Sequence, residues 1–440
     1  MDRCMKRNLI FVSCMMAALA SALPARAQVS FSQAIDRALQ HSPRVKSAED
    51  DLKKAQAEVG VMKDIYVPSV VVGAGLGTAY GIMLTVPTIF TVTAQSLVYS
   101  PQQASYIHSA KYDLQAAKFA LADAREQVAE DAAVSYLTLN HDQEAMAALS
   151  QESDDALKLV SIVEDRVAAH LDAPMDLKKA RRDALEMRLQ LLQMQDDMDA
   201  QSTHLAELTA LARSQMVAQA DSIPDLPDIT ALDSNHLPET PGMRAAEAGQ
   251  KARELRARAD AEYTWRPNIG FGAQYGRISP IENVGEFYNL HGEYNTVSVG
   301  VQFTFPLLDK VRMATAKQSA ADAAHGATDI EAQQQALAEG VRKLGRATTE
   351  LSVKAQLADL DYGLAQDQLQ SVLIAEHASS GGPVLTPKDE EGARIQERQK
   401  YLEMLNTRLD AARAKIDYLR QTGQLEQWLQ SLHISATLPH

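Results

Sequence analysis

From Thr296 to Phe305 the chain alternates strictly. Val297, Val299, Val301, Phe303 and Phe305 are apolar, while Thr296, Ser298, Gly300, Gln302 and Thr304 are polar or small. A period of two is that of a strand with one apolar and one polar face. Three further stretches obey the same rule. Trp265, Ile269, Phe271, Ala273 and Tyr275 oppose Asn268, Gly270, Gly272, Gln274 and Gly276. In the first half, Val70, Val72, Ala74 and Leu76 oppose Ser69, Gly73, Gly75 and Gly77, with Val71 as the exception. Phe90, Val92, Ala94 and Val98 alternate with Thr91, Thr93 and Gln95. The pattern predicts strands at about 66–81, 88–99, 263–279 and 293–306.

Elsewhere the period changes. No proline occurs between Pro101 and Pro174 or between Pro306 and Pro383, and these windows are rich in Ala, Gln, Leu, Glu and Asp. They predict helices far longer than a globular domain uses: some 70 residues at 1.5 Å each reach roughly 100 Å. Leu177, Ala180, Ala184, Met187, Leu191, Met194, Met198, Leu205 and Leu208 follow one another at steps of three and four, Gln201 interrupting. Ile395, Leu402, Leu405, Leu409, Ala412, Ile416 and Leu419 repeat the stripe, with Arg398 as its exception. Such spacing predicts helices that pack as coiled coils.

The chain is written twice. "YVPSVVVGAGLG" at 66–77 has a counterpart in "WRPNIGFGAQYG" at 265–276, "VTAQ" at 92–95 in "VGVQ" at 299–302, and "DLKKAR" at 176–181 in "DEEGAR" at 389–394. The matches keep their order, so two repeats are expected, 28–220 and 243–430, followed by a tail at 431–440. Between them, 221–242 carries Pro224, Pro227, Pro238 and Pro241 and reads as a linker.

The N-terminus changes the compartment. Arg3, Lys6 and Arg7 precede an apolar run from Leu9 to about Leu23, and Ala25-Arg26-Ala27 follows. This is the form of a secretory signal peptide, residues 1–27, cut before Gln28. The apolar run ahead of Cys14 is too short for a lipoprotein signal, so no lipid anchor is expected. Both cysteines, Cys4 and Cys14, leave with the signal, which excludes a disulfide framework. The mature chain would hold 39 basic and 56 acidic residues, a net charge of −17, against nucleic acid as a partner. No other stretch is long and apolar enough for a membrane helix.

Catalytic chemistry is missing. The 11 histidines contain no i, i+4 pair, and a mature chain without cysteine offers little to a metal or a nucleophile. "GAGLG" at 73–77 lies within a strand pattern and lacks the lysine and helix of a phosphate loop. We therefore expect no enzyme, no cofactor and no catalytic or metal residues.

A soluble sandwich alternates as well as a membrane barrel does. Here the polar faces are mainly Gly, Ser, Thr and Gln, without the Lys and Glu of a soluble sheet, and Tyr66, Tyr99, Tyr263 and Trp265 fall near strand ends. These features favour a barrel whose lipid-facing residues are Val70, Val72, Leu76, Phe90, Val92, Ile269, Phe271, Val297, Val299, Val301, Phe303 and Phe305. A sheet in lipid must close, and four strands cannot. Two chains would supply eight strands and a filled interior, whereas three supply twelve and a lumen.

The residues resemble the TolC-like outer-membrane efflux proteins (outer membrane factors) along nearly the whole mature chain. The pieces are "HSPRVKSAEDDLKKAQAEV" in the opening helix, "RVAAHLDAPMDLKKAR" at 166–181 close to the family's R-x-x-x-G-x-x-x-x-x-D-V-x-x-A hairpin tip, "FPLLD" at 305–309 and "LRQTGQL" at 419–425. The resemblance implies a mainly α fold with a membrane β-barrel portion. A duplicated helix, β-hairpin and long-helix unit would give four strands per chain, a twelve-stranded trimeric barrel and a periplasmic coiled-coil tunnel. It implies a homotrimer in outer-membrane lipid, joined to an inner-membrane pump by a periplasmic adaptor in efflux or type I secretion. A non-conducting exported coiled-coil protein is the alternative. Members close the periplasmic end with acidic residues, and the matching positions are Asp176 and Asp389, with Glu390 and Glu391 adding charge. His170 stands where the family has Gly, and no Arg or Tyr partner for a tether can be assigned.

Overall fold

The computed structural model describes residues 29–75, 88–227, 239–262, 266–278, 295–305, 309–377 and 386–437. The expected signal peptide 1–27, Leu76, most of the linker, the stretch 378–385 and the last three residues lie outside them. Helices α1 (Phe31–His41) and α2 (Pro43–Asp64) lead into strands β1 (Ser69–Ala74) and β2 (Thr88–Tyr99), then helices α3 (Pro101–Ala168) and α4 (Pro174–Thr209). The order then repeats: α5 (Pro241–Glu262), β3 (Asn268–Ile278), β4 (Asn295–Thr304), α6 (Lys310–His377) and α7 (Pro387–Gln421), closed by α8 (Leu425–Thr437). The fold is thus mainly helical with one four-stranded antiparallel sheet, as the duplicated pattern implied.

Local chemistry sets the helix ends. Helices α2, α3, α4, α5 and α7 each begin on proline, whose fixed φ suits the first turn and whose missing N–H needs no partner there. The exit from α3 is a left-handed turn at His170 (φ 60°), whose N–H donates to the Val167 carbonyl at 3.0 Å while Leu171 N–H reaches back to Arg166 at 2.9 Å. Gly423 (φ 69°) closes α7 in the same way, through Gly423 N–H to Arg420 and Gln424 N–H to Leu419. Both are the glycine-favoring helix stop. Histidine at position 170 therefore occupies a conformation that costs it free energy.

The chain forms two compact units, each drawn from both halves of the sequence. Of the described residues, one unit takes those within 29–45, 125–227 and 339–437, and the other those within 46–124 and 239–338. In the first, α1 packs against α4, and Phe31 meets Tyr136 edge-on at 5.5 Å and Trp428 at 6.1 Å. The Tyr136 hydroxyl donates to the Val29 carbonyl at 2.7 Å and accepts from Gln219 N–H at 2.8 Å. Ala180, Ala184, Met187 and Leu205 of the expected α4 stripe are buried, and Leu405, Ile416 and Leu419 of the α7 stripe likewise.

In the second unit, small and polar residues bring helices close. Gln250 on α5 donates to the Ala323 carbonyl at 2.6 Å, and a Cβ on Gly326 would sit 2.2 Å from Gln250 Oε1. Tyr106 on α3 and Ser319 on α6 both donate to the Asp260 carboxylate on α5. The sheet of this unit runs in the order β1-β2-β3-β4 with every pair antiparallel.

Candidate functional site

Strand register decides whether four alternating patterns make one surface. Directly opposed residues in an antiparallel pair point to the same side. Val72 lies opposite Val92, Val92 opposite Tyr275, and Tyr275 opposite Val297; Val70, Ala94, Ala273 and Val299 form the next row. Ser96, Phe271 and Val301 follow, and Ile269 pairs with Phe303. The apolar positions of all four strands thus share one face. The other gathers rows such as Ser69, Gln95, Gly272 and Gly300, or Val71, Thr93, Gln274 and Ser298. Val71, which broke the alternation, and Leu97, opposite Gly270, are apolar intruders on that polar face.

The apolar face is bare. Val297 is 73% exposed, and Val70, Val72, Val299, Val301, Phe303 and Phe305 are exposed too; Val92, Ile269 and Phe271 are half-covered, and Phe90 sits just on the exposed side. Leu76 lies outside the described residues. A cavity of about 960 Å³ is lined by Gln95, Gly272, Gln274 and Gly300 of the polar face together with Val61 and Ile65. Both β1 and β4 are edges within the chain, and every residue of β4 is exposed.

At the helical hairpins, the expected acidic positions fall at helix starts. Asp176 is the third residue of α4 and accepts the Ala173 N–H at 3.2 Å. Asp389 occupies the same place in α7, accepting the Thr386 N–H at 2.8 Å and its hydroxyl at 2.7 Å. These Thr386 bonds hold the Asp389 carboxyl below the usual range. Each carboxylate thus satisfies its own helix terminus and complements its dipole. Glu390 pairs with Arg394 at 2.6 Å. Burial pushes the Glu391 carboxyl up, reinforced by Asp155.

The structure brings a different carboxylate between the hairpins. Asp172, in the turn after α3, takes a forked pair of bonds from Arg166 at 3.0 and 3.1 Å and a third from Lys388 of α7 at 3.2 Å. Those bonds, Arg166 first, hold its carboxyl below the ordinary value. The signal was present: Arg166 opens the hairpin-tip motif, and Lys388 immediately precedes Asp389. Also unforeseen are two exposed heptad stripes, Leu185, Leu189 and Leu192 on α4 and Val353, Leu357, Leu360 and Leu364 on α6.

Residues 34–211 match the model of the family described as "Outer membrane efflux protein". Solved structures of similar fold are outer-membrane proteins. The Campylobacter jejuni CmeC outer membrane channel has a TM-score of 0.73 at 13% identity, with 91% of this chain and 89% of that one covered. The Vibrio cholerae outer membrane protein VceC gives 0.69 at 17% identity, covering 89% and 96%. The open state of the Neisseria gonorrhoeae MtrE outer membrane channel gives 0.66 at 15%, covering 91% of each. A search of the curated proteins finds no match. The fold is therefore that of the outer-membrane channels. The resemblance to the outer-membrane efflux proteins holds on two grounds, a family model along the first repeat and a shared fold along nine-tenths of the chain. These relatives are channel proteins, not enzymes.

Proposed function

We propose that the protein is a passive outer-membrane exit duct. Three copies pool their strands into a twelve-stranded barrel in outer-membrane lipid, and the helices extend it into the periplasm as a tunnel. A periplasmic adaptor couples it to an inner-membrane pump that supplies the work, in efflux or type I secretion, and the exported chain loses residues 1–27 without gaining lipid. The observation that carries this reading is the bare apolar face spanning all four strands between two open edges. Water tolerates neither that face nor those edges for long, whereas lipid accepts the face and closure removes the edges. The exposed stripes on α4 and α6 support it, because coiled-coil seams left empty in one chain call for helices from another copy.

In this reading the hairpin tips form the periplasmic entrance, with Asp176, Asp389, Glu390 and Glu391 brought near a threefold axis. The Asp172 bridge to Arg166 and Lys388 holds the two hairpins of one chain together at that end. Carboxylates around an axis attract cations. Purified trimers in planar bilayers are expected to conduct and to prefer cations, and Asp176→Ala with Asp389→Ala is expected to weaken the preference. Anion selectivity in the parent would remove the entrance assignment. A detergent-free, monomeric, strand-containing protein would instead favour the non-conducting coiled-coil alternative.

A further inference from the structure

The four strands hold one charged side chain, Arg277, and the register puts it on the apolar face. Arg277 lies opposite Phe90 on one side and Asn295 on the other, with Ala74 beyond Phe90, one row on from Val92, Tyr275 and Val297 after the intervening row of the other face. Its height on the sheet is as telling. Strand β3 follows α5 and reaches Arg277 one residue before its end, while β4 sets out from Asn295 and returns to α6. The Arg277 and Asn295 row is therefore the end of the sheet farthest along the strands from those helices. From Phe305 back to Asn295 the chain climbs about ten steps of 3.4 Å, and with a tilt of about 40° this rises roughly 26 Å, the height of the apolar band of an outer-membrane barrel. An arginine midway up that band is strongly destabilising, whereas one at its edge costs little. The surroundings are polar and aromatic together. The Tyr275 hydroxyl donates to Asn295 Oδ1 at 3.1 Å, which leaves the amide N–H groups of Asn295 available. The Phe90 and Tyr275 rings meet edge-on at 6.4 Å. Phe90, Tyr275, Arg277 and Asn295 are all exposed, and no ion pair among the described residues engages Arg277.

A positive charge at the rim of a lipid-facing surface stands at the depth of the headgroups, and a guanidinium presents a planar fork that matches phosphate oxygens. We propose that Arg277, with Asn295, Phe90 and Tyr275, forms a binding site for the phosphate of a glycolipid headgroup in the outer leaflet. The guanidinium takes the phosphate, the Asn295 amide donates to a neighbouring headgroup oxygen, and the aromatic pair offers its apolar edges to the sugar ring. A zwitterionic phospholipid fits less well, because its ammonium comes within reach of the same positive charge. The site rests on the reading that this face of the sheet meets lipid, and it adds which lipid the outer rim selects. Each copy contributes its own site, on strands β2, β3 and β4 of one chain.

The full-length protein, assembled in detergent, is titrated with bisphosphorylated lipid A, with the same lipid stripped of its phosphates, and with phosphatidylethanolamine and phosphatidylglycerol, and retained lipid is counted by native mass spectrometry. The bisphosphorylated glycolipid is expected to be retained on the order of tenfold better than the other three. Arg277→Gln is expected to abolish that preference. Arg277→Lys, which keeps the charge and loses the fork, should fall between the two. Arg256→Gln, which removes the same charge from α5, should bind like the parent. Equal retention of the phosphate-free glycolipid or of phosphatidylglycerol overturns the site, and so does a preference that survives Arg277→Gln. Should Arg277→Gln not assemble, the lipid preference of the parent and the Arg277→Lys variant decide the matter in the same way. Trimers that conduct yet ignore the phosphate overturn the site and leave the duct standing, whereas a chain that forms no trimer in lipid removes the duct and the site with it.

Discussion

The β-hairpins and the helical hairpins are each written twice and each carry one apolar face, yet they dispose of it in opposite ways. The helices bury much of their stripe within the chain: Leu205 and Ile416 are almost wholly enclosed. The sheet buries almost none of its apolar face. The difference lies in the backbone. A helix satisfies its own N–H and C=O groups and needs neighbours only for its side chains, so two or three helices of one chain make a seam. A strand must borrow hydrogen bonds on both sides, and four strands leave two edges and two faces unfinished. The sheet is thus completed by lipid and by other copies, in the reading proposed here.

That contrast can be broken deliberately. The largest effect is expected in the helical core: Leu205→Ala should cost about 2–5 kcal/mol, read from thermal or denaturant unfolding of the helical signal. Leu189→Ala, on an exposed stripe, should cost little in a single chain and show itself only in trimer stability. On the sheet, Val299→Arg places a charge in the middle of the apolar face and should cost about 2–4 kcal/mol in lipid. Ser298→Arg, one residue away on the other face, should be far milder. Equal penalties at 298 and 299, measured as the assembled fraction in membranes, would dissolve the distinction between the faces.

Smaller effects sharpen the picture at the hairpin tip. His170→Gly relieves a left-handed histidine and should stabilise the turn by about 0.5–1 kcal/mol once the added freedom of glycine is counted. Smallest of all is the response of the Asp172 bridge to mild acid. Its carboxyl is held below the ordinary value by Arg166 and Lys388, so the bridge is fully present above the free carboxylate range and lost only as pH falls through the depressed value. Between pH 5 and 8 a crosslink or distance probe across the tip should therefore not change. Movement at the tip within that range would show that the bridge does not hold it.

Much of this was legible in the residues. Alternation located the strands because side chains on a pleated ribbon point to opposite faces in turn, and the prolines that bound the first long window, Pro101 and Pro174, both begin helices. Arg398 stood out as the flaw in a stripe, and it turned out to face buried Glu152. The Asp172–Lys388 bridge was not legible, because the two residues are 216 positions apart and neither belongs to a local pattern. The exposed stripes were hidden for another reason: an apolar residue at heptad spacing reads the same whether its partner helix is in the chain or in another copy.

By itself the sequence determined the kinds of element, their duplication and the two-sided chemistry of each strand, since all of these are set by neighbours within a few residues. The tertiary structure alone decided the register that merges four patterns into two continuous faces. It likewise decided which carboxylate meets which arginine across α3 and α7, and which stripes stay empty. Those depend on contacts between segments hundreds of residues apart, where a shift of one position in a strand, or a rotation of one helix, reverses what touches what.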